Sequence, residues 1–360
     1  MNNILSDANI LLHRKIELDN SPFVIRRRGD LLHICIGSIG CRFQTSGSCV
    51  MCNYGKSNPI CEADINCLFS IIKEQENTTS SILIGTYGSL FDEREIPSEI
   101  LDLILEHLKN INIDIIVFET HYLTVNKEIL EKIKKTLIGK DVAIELGLES
   151  SNKMTLEQCL NKSIDLSAFL QKINLIHLYK MSVTANIFLG APFLTIKEQI
   201  KDTVQTIIWA FENGVDNVVI FPANIRKNTL LEFLYNNNRF QQLSYWSLFE
   251  VLRLIPQKYQ AKIFLSWFGD WSDEKIIVDS TQKYDNVLIE LFSEYLNLNN
   301  NLERDKCLNS FLDNSEVAMY YADFIKEMEA DYLLNYGKDL QVRIREQHTW
   351  ISKNIRNIEG

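Results

Sequence analysis

Nowhere in this 360-residue chain is there an uncharged apolar run of membrane-spanning length, so the sequence offers no candidate transmembrane helix. Its first twenty residues, MNNILSDANILLHRKIELDN, carry acids and lack a long apolar core. A secretory leader is therefore not expected, and the expected location is cytoplasmic. Positive charge is in deficit: 37 Lys and Arg stand against 47 Asp and Glu, a formal net charge of -10. That balance, with no basic domain and no aromatic–basic stripe, disfavours a nucleic-acid partner without excluding a local basic face. The basic runs Arg26-Arg27-Arg28 and Lys132, Lys134 and Lys135 read as solvated faces. Internal repeats and long low-complexity linkers are missing. So is a disulfide framework: eight cysteines in a long cytosolic chain read as metal ligands or inert thiols.

What is present is a regular alternation, in a chain whose 46% hydrophobic content suffices for a large core. The β-rich runs are Leu31–Gly37, Ser81–Thr86, Asp114–Glu119, Val142–Glu149, Ser182–Gly190, Asn217–Phe221 and Lys262–Ser266. Between them lie apolar faces at helical spacing, such as Ile100, Leu101, Ile104, Leu105 and Leu108, or Leu166, Phe169, Leu170 and Ile173. Near-continuous apolar strands separated by helices predict βαβ units with a buried parallel sheet. The fold class is α/β, as a partial or complete (β/α) barrel, with a doubly wound sheet as the other solution. Past residue 275 the pattern is helical only. The expected organisation is an N-terminal segment 1–30, a barrel 31–274 and a helical extension 275–360. Ligands in such sheets bind at the carboxyl ends of the strands.

Directly after the first of these strands comes Gly40-Cys41-Arg42-Phe43-Gln44-Thr45-Ser46-Gly47-Ser48-Cys49-Val50-Met51-Cys52-Asn53-Tyr54-Gly55, a C-x7-C-x2-C spacing. Three thiolates bind three irons of a cubane cluster and leave the fourth open, whereas a structural metal site closes with four protein ligands. Gly40, Gly47 and Gly55 permit the turns such a loop needs, and Met51 would give apolar cover. The alternative is a zinc site with Cys35 as fourth ligand, which would make the chain a non-enzymatic zinc or iron–sulfur module. Cys35 lies inside a strand, however, and zinc sites favour two close cysteine pairs. Cys61, Cys67, Cys159 and Cys307 are scattered and read as core or surface thiols.

A three-cysteine loop after the first barrel strand resembles the radical S-adenosylmethionine superfamily, and the long spacing resembles the branch containing the Elongator catalytic subunit. Within that branch the chain is most similar to the radical subunit family of archaeosine synthase. The resemblance spans roughly residues 31–256. It includes Gly85-Thr86-Tyr87-Gly88-Ser89-Leu90-Phe91-Asp92-Glu93-Arg94-Glu95-Ile96-Pro97, Phe118-Glu119-Thr120 and Ile144-Glu145-Leu146-Gly147-Leu148-Glu149-Ser150 with Asn161-Lys162. It continues through Ala191-Pro192-Phe193-Leu194-Thr195 and Phe221-Pro222-Ala223-Asn224-Ile225.

The resemblance implies an enzyme with two cofactors, a [4Fe–4S] cluster and S-adenosylmethionine. Reductive cleavage of the sulfonium would give a 5′-deoxyadenosyl radical that abstracts hydrogen from the substrate. It implies Cys41, Cys49 and Cys52 as iron ligands, Tyr54 near the adenine, and Thr86, Tyr87, Gly88 and Ser89 near the methionine amino group. It implies Lys162 as partner of the methionine carboxylate, and Glu119, Glu149 and Asn186 as groups facing the ribose or the substrate. His121, at a strand end, is a candidate for substrate contact or proton transfer, while His33 and His177 read as satisfied histidines. Trp267, Phe268 and Trp271 read as packing residues. The expected substrate is a small metabolite, a nucleoside-like molecule or a peptide, with flavodoxin or ferredoxin as electron donor. The alternative is an archaeosine-type tRNA-modifying carbon–nitrogen lyase working with a partner subunit.

Overall fold

The computed structural model describes residues 3–16, 21–54, 58–241, 243–266, 285–336 and 339–355. Eight strands form one sheet in sequential order: β1 (Phe23–Arg28), β2 (Leu31–Ile36), β3 (Ser81–Thr86), β4 (Ile115–Thr120), β5 (Asp141–Glu149), β6 (Ser182–Leu189), β7 (Asn217–Pro222) and β8 (Ile263–Leu265). The β1–β2 pair is antiparallel and every later pair is parallel. The sheet curls until its edges approach: the Arg28 guanidinium on β1 donates to the Leu265 carbonyl on β8 at 2.6 Å. The result is a partial barrel, and seven of its strands are the runs expected from the sequence.

The helices are α1 (Ile4–His13), α2 (Arg42–Thr45), α3 (Glu62–Gln75), α4 (Ser98–Asn110), α5 (Lys127–Thr136), α6 (Leu166–Leu178), α7 (Ile196–Glu212), α8 (Leu230–Asn236) and α9 (Tyr245–Leu254), then α10 (Asp285–Asn297), α11 (Asn301–Phe311), α12 (Ser315–Tyr336) and α13 (Leu340–Asn354). Helix α4 shows why they form: Leu101, Ile104, Leu105 and Leu108 recur at helical spacing and are all buried. The outward residues of the strands, such as Ile82, Ile84, Ile116 and Phe118, meet these faces in the main core. Burying one such side chain contributes roughly 1.5–3 kcal/mol.

A second, smaller core lies over the carboxyl ends of the strands. Leu5, Ala8 and Leu12 of α1 meet Val50 of the cysteine loop, Leu231 and Leu234 of α8, and Ile344 and Ile351 of α13. The helical extension thus returns to the N-terminal helix. Residues 1–30, to which the sequence assigns no element, supply both α1 and β1.

The arginine run is corrected from solvated face to brace. Arg27 donates to the Thr78 carbonyl at 2.9 Å, the Gln75 side chain at 3.0 Å and the Thr79 hydroxyl at 2.9 Å, while Arg28 spans the sheet edges. Lys132 and Lys135 do form surface pairs, with Asp102 and Glu131. The boundary expected near residue 274, and Trp267, Phe268 and Trp271, lie outside the described residues.

Candidate functional site

The cysteine loop is fixed mainly through its backbone. Cys49 N–H donates to the Asn161 carbonyl at 3.1 Å, Val50 N–H to the Leu160 carbonyl at 3.0 Å, and Leu231 N–H to the Val50 carbonyl at 3.0 Å. The Asn161 amide donates to the Gly47 carbonyl at 2.7 Å, and Asn9 of α1 donates to the same carbonyl at 2.9 Å. The two ring nitrogens of His13 sit 3.3 Å and 3.0 Å from the carbonyls of Gln44 and Cys52. Gly47 is held at φ +77°, and a Cβ there would strike the backbone of Ser6, so only glycine lets α1 sit this close. Cys49 itself adopts φ +62°, a conformation uncommon for a non-glycine residue. Gly55 lies outside the described residues.

The loop presents Cys41, Cys49 and Cys52 to one cavity, with Met51 among its lining residues. All three are free thiols. Burial raises their proton affinity, Cys52 to about 11, and each lies within electrostatic reach of the other two. Among the described residues no three His, Cys, Asp or Glu side chains converge as around a single ion. That argues against a zinc tetrahedron built with Cys35. A cubane instead takes one thiolate at each of three corners, and three free thiols lining one cavity are the donor set it needs.

The cavity has about 1250 Å³ of space free of protein atoms, counting its opening to solvent. Tyr87 and Gly88 line it, but Thr86 and Ser89 do not. The Thr86 hydroxyl donates to Glu95 at 2.9 Å and accepts from Gly88 N–H at 3.0 Å. The Ser89 hydroxyl sits 2.7 Å and 2.8 Å from those of Thr120 and Thr124. These two residues shape the turn instead of facing the cavity. Buried Glu95 is its organiser, also accepting from Ser38 at 3.1 Å and from Ser89 N–H at 3.2 Å. A Cβ at Gly88 would clash with Glu95 and lie 2.8 Å from Cys41 Cα, so this glycine lets the turn pass behind the first cysteine.

Close to the thiols, Lys162 donates to Glu149 at 2.8 Å and to the Gly147 carbonyl at 3.2 Å. Burial alone would lower the proton affinity of this lysine, but Glu149 and the nearby cysteines outweigh it and hold Lys162 firmly protonated. Lys162, expected to meet the methionine carboxylate, is paired with Glu149 in this structure. Glu149 sits at φ +64° beside a register shift in β5, a strained placement typical of functional strand ends. His121 stacks on Phe43 with ring centroids 4.2 Å apart. Burial, aided by Lys162 and Arg42, pushes its pKa down to about 3, so it is neutral at physiological pH. Tyr54 lies under the Arg226 guanidinium at 4.6 Å and 6.1 Å from the Tyr87 ring.

Glu119 and Asn186 line the same cavity, and Glu145 lies buried behind them. Burial raises the proton affinity of Glu119 and Glu145, with the charge of Glu149 adding to it at Glu119 and that of Glu119 at Glu145. Away from the cavity, His177 pairs with Asp216 at 2.8 Å, and burial next to Arg26 lowers His33 to about 4.

The cavity therefore gathers eleven residues expected from the sequence: Cys41, Cys49, Cys52, Tyr54, Tyr87, Gly88, Glu119, His121, Glu149, Lys162 and Asn186. Four residues given no role there matter: Glu95, Glu145, Asn161 and Arg226. Strand alternation could have found Glu145, which shares a face with Gly147 and Glu149. Arg226 lies just beyond the Phe221–Ile225 block.

No family model matches the chain. An uncharacterized protein of Methanocaldococcus jannaschii is 28% identical over 266 residues, covering 69% of this chain and 73% of its own length. Archaeosine synthase subunit beta of Thermococcus kodakarensis is 27% identical over 251 residues, covering 68% of this chain and 77% of its own length. Among solved structures, methylornithine synthase aligns with a TM-score of 0.47 and 14% identity, over 86% of this chain and 87% of that one. The resemblance to the archaeosine synthase subunit read from the motifs is thus found again over about two thirds of the chain.

Proposed function

We propose that this chain is a radical S-adenosylmethionine enzyme whose cluster is held by Cys41, Cys49 and Cys52. The observation that supports this most is the arrangement of three free thiols on one clamped loop, all lining one cavity. Bound there, a [4Fe–4S] cluster with S-adenosylmethionine would supply a carbon radical able to take a hydrogen atom from a substrate.

The chain's own residues supply placement and exclusion of water. Phe43, Met51, Phe188 and Phe221 give the cavity apolar walls. Tyr54 and Tyr87, beside Arg226, offer aromatic faces for a purine. The Lys162–Glu149 pair fixes a charge pattern beside the thiols. Neutral His121 exchanges hydrogen bonds without placing a positive charge near the reacting centre. The substrate class is a small metabolite, a nucleoside-like molecule or a peptide, and a one-electron donor of the flavodoxin or ferredoxin type supplies the reductant. Anaerobic reconstitution tests the reading: four irons per chain, an EPR signal that changes on adding S-adenosylmethionine, and release of 5′-deoxyadenosine under dithionite are expected. Absence of a cubane after full reconstitution sinks it.

A second reading rests on the relatives. Similarity to archaeosine synthase subunit beta over most of that protein's length favours carbon–nitrogen cleavage on a tRNA base, with a partner subunit supplying the RNA contacts. Its signature is tRNA binding that weakens steeply with salt. No binding at low salt, with or without cell extract, removes it.

A further inference from the structure

The acids Glu119 and Glu145 sit directly opposite each other in the β4–β5 register, on the strand face that carries Gly147 and Glu149. Glu145 lies about 13 Å along the strand below Glu149, taking roughly 3.3 Å per residue. Like charges paired across adjacent strands are destabilising. Here, among the described residues, neither acid forms an ion pair, unlike Glu149 with its Lys162. The charged groups around Glu119 are Glu149, Glu145, Arg226 and Lys162, with the two cations acting at longer range; Glu145 is faced by Glu119 and by the Asn186 amide. Asn186 is 5% exposed and lines the cavity. Its Oδ1 is a buried acceptor with no hydrogen-bond partner among the described residues, and Glu145 lies beside the same side chain. A buried acceptor left unpaired costs about 1–3 kcal/mol.

We infer that Glu119 and the Asn186 side-chain oxygen form a receptor for a positively charged N–H donor group of the substrate, an ammonium or a guanidinium, with Glu145 behind them as a positioning residue. The inference deepens the radical-enzyme reading and rests on it for the word substrate. A cation bearing several N–H donors completes each unsatisfied feature at once. It pairs with Glu119 as that acid gives up its proton, and donates to the orphan oxygen. Glu145 lies beside the Asn186 side chain and limits how it can turn. Because the two acids retain protons near neutrality, arrival of a cation drives ionisation and releases protons to the buffer.

The test is calorimetric titration of the full, cluster-loaded chain with butylammonium and butylguanidinium, using butanol and butyrate as controls. Measurements in two buffers of different ionisation heat read proton release. At least one cation is expected to bind, with protons released, while neutral and anionic probes do not. Glu119→Gln is expected to weaken the cation at least tenfold, and Asn186→Leu about fivefold. Binding is expected to persist with S-adenosylmethionine present. The inference is overturned if no cation binds, if all four probes bind alike, if Glu119→Gln leaves cation affinity unchanged, or if S-adenosylmethionine displaces the cation. Should a variant not fold by thermal melting, proton release in the unmutated chain still decides. Cluster assembly is read separately by EPR, so loss of the radical-enzyme reading and loss of the receptor give different results.

Discussion

Around the rim of the cavity, the cysteine loop takes its shape from main-chain bonds to residues 160 and 161, to α8, and to side chains of α1. On its floor, Glu119 and Asn186 stand on rigid strands with Glu145 behind them, the two acids hold their protons more tightly than free carboxyls, and the Asn186 Oδ1 has no partner among the described residues. The contrast teaches what each part is for. A rim that fixes backbone before any ligand arrives suits a group of constant shape. A floor with proton-holding acids and an open acceptor suits a partner that completes the hydrogen bonding when it binds.

Removing a rim thiol should have the largest effect. Cys41→Ala, Cys49→Ala or Cys52→Ala should each lower S-adenosylmethionine cleavage by on the order of a hundredfold or more, since ligand loss exceeds the loss seen for outer partners. Cys67→Ala, on the exposed face of α3, is the control and should change nothing. Iron content and 5′-deoxyadenosine yield check this. Equal losses from Cys67 and the three rim cysteines would end the distinction between ligand and bystander.

Next comes the ion pair that bridges rim and floor. Lys162→Met leaves Glu149 buried without its partner, which should cost about 3 kcal/mol in urea unfolding. A cost below about 1 kcal/mol would mean solvent reaches the pair freely. Gly47→Ala should cost about 2 kcal/mol, combining positive-φ strain with a collision against Ser6 backbone. Gly139→Ala has comparable strain but open space around the new methyl, and should cost only about 1 kcal/mol. The difference between the two substitutions measures how tightly α1 presses on the loop.

The sheet was legible because β2 to β8 are short apolar runs that turn signals interrupt. What escaped was β1, where Arg26, Arg27 and Arg28 hide a strand behind a charge run. Charge there does not mean solvation, since Arg27 and Arg28 spend their donors on loop carbonyls and on β8. The cysteine loop could be read because ligand chemistry demands both residue type and spacing. The roles of Asn161 and Glu95 could not, since each acts on a neighbour distant in sequence: Asn161 on Gly47, Glu95 on Ser38. Thr86 and Ser89 were drawn toward the cofactor by their motif, yet their hydroxyls close buried networks. A motif shows which residues recur together and not which way each side chain turns.

The smallest expected effect probes the floor through pH. Glu119 and Glu145 both bind protons more tightly when folded than at their ordinary pKa of 4.5, because of burial first, with Glu149 adding to it at Glu119 and Glu119 adding to it at Glu145. Below about pH 4.5 both folded and unfolded chains hold these protons, and the pair contributes no pH dependence. As pH rises, the unfolded carboxyls ionise first, so the folded state loses stability until pH passes the raised values around neutrality. Glu145→Gln keeps an acceptor for the Asn186 amide but cannot ionise, so it removes one of the two repelling charges. The fall in unfolding free energy between pH 5 and pH 8 should then be shallower in the variant by at least about 1 kcal/mol, a shift of one pKa unit being worth ~1.4 kcal/mol. Comparing variant with parent cancels the contribution of the other acids. Parallel stability–pH curves would mean that the floor acids are already ionised and solvated, which would also undo the contrast with the rim.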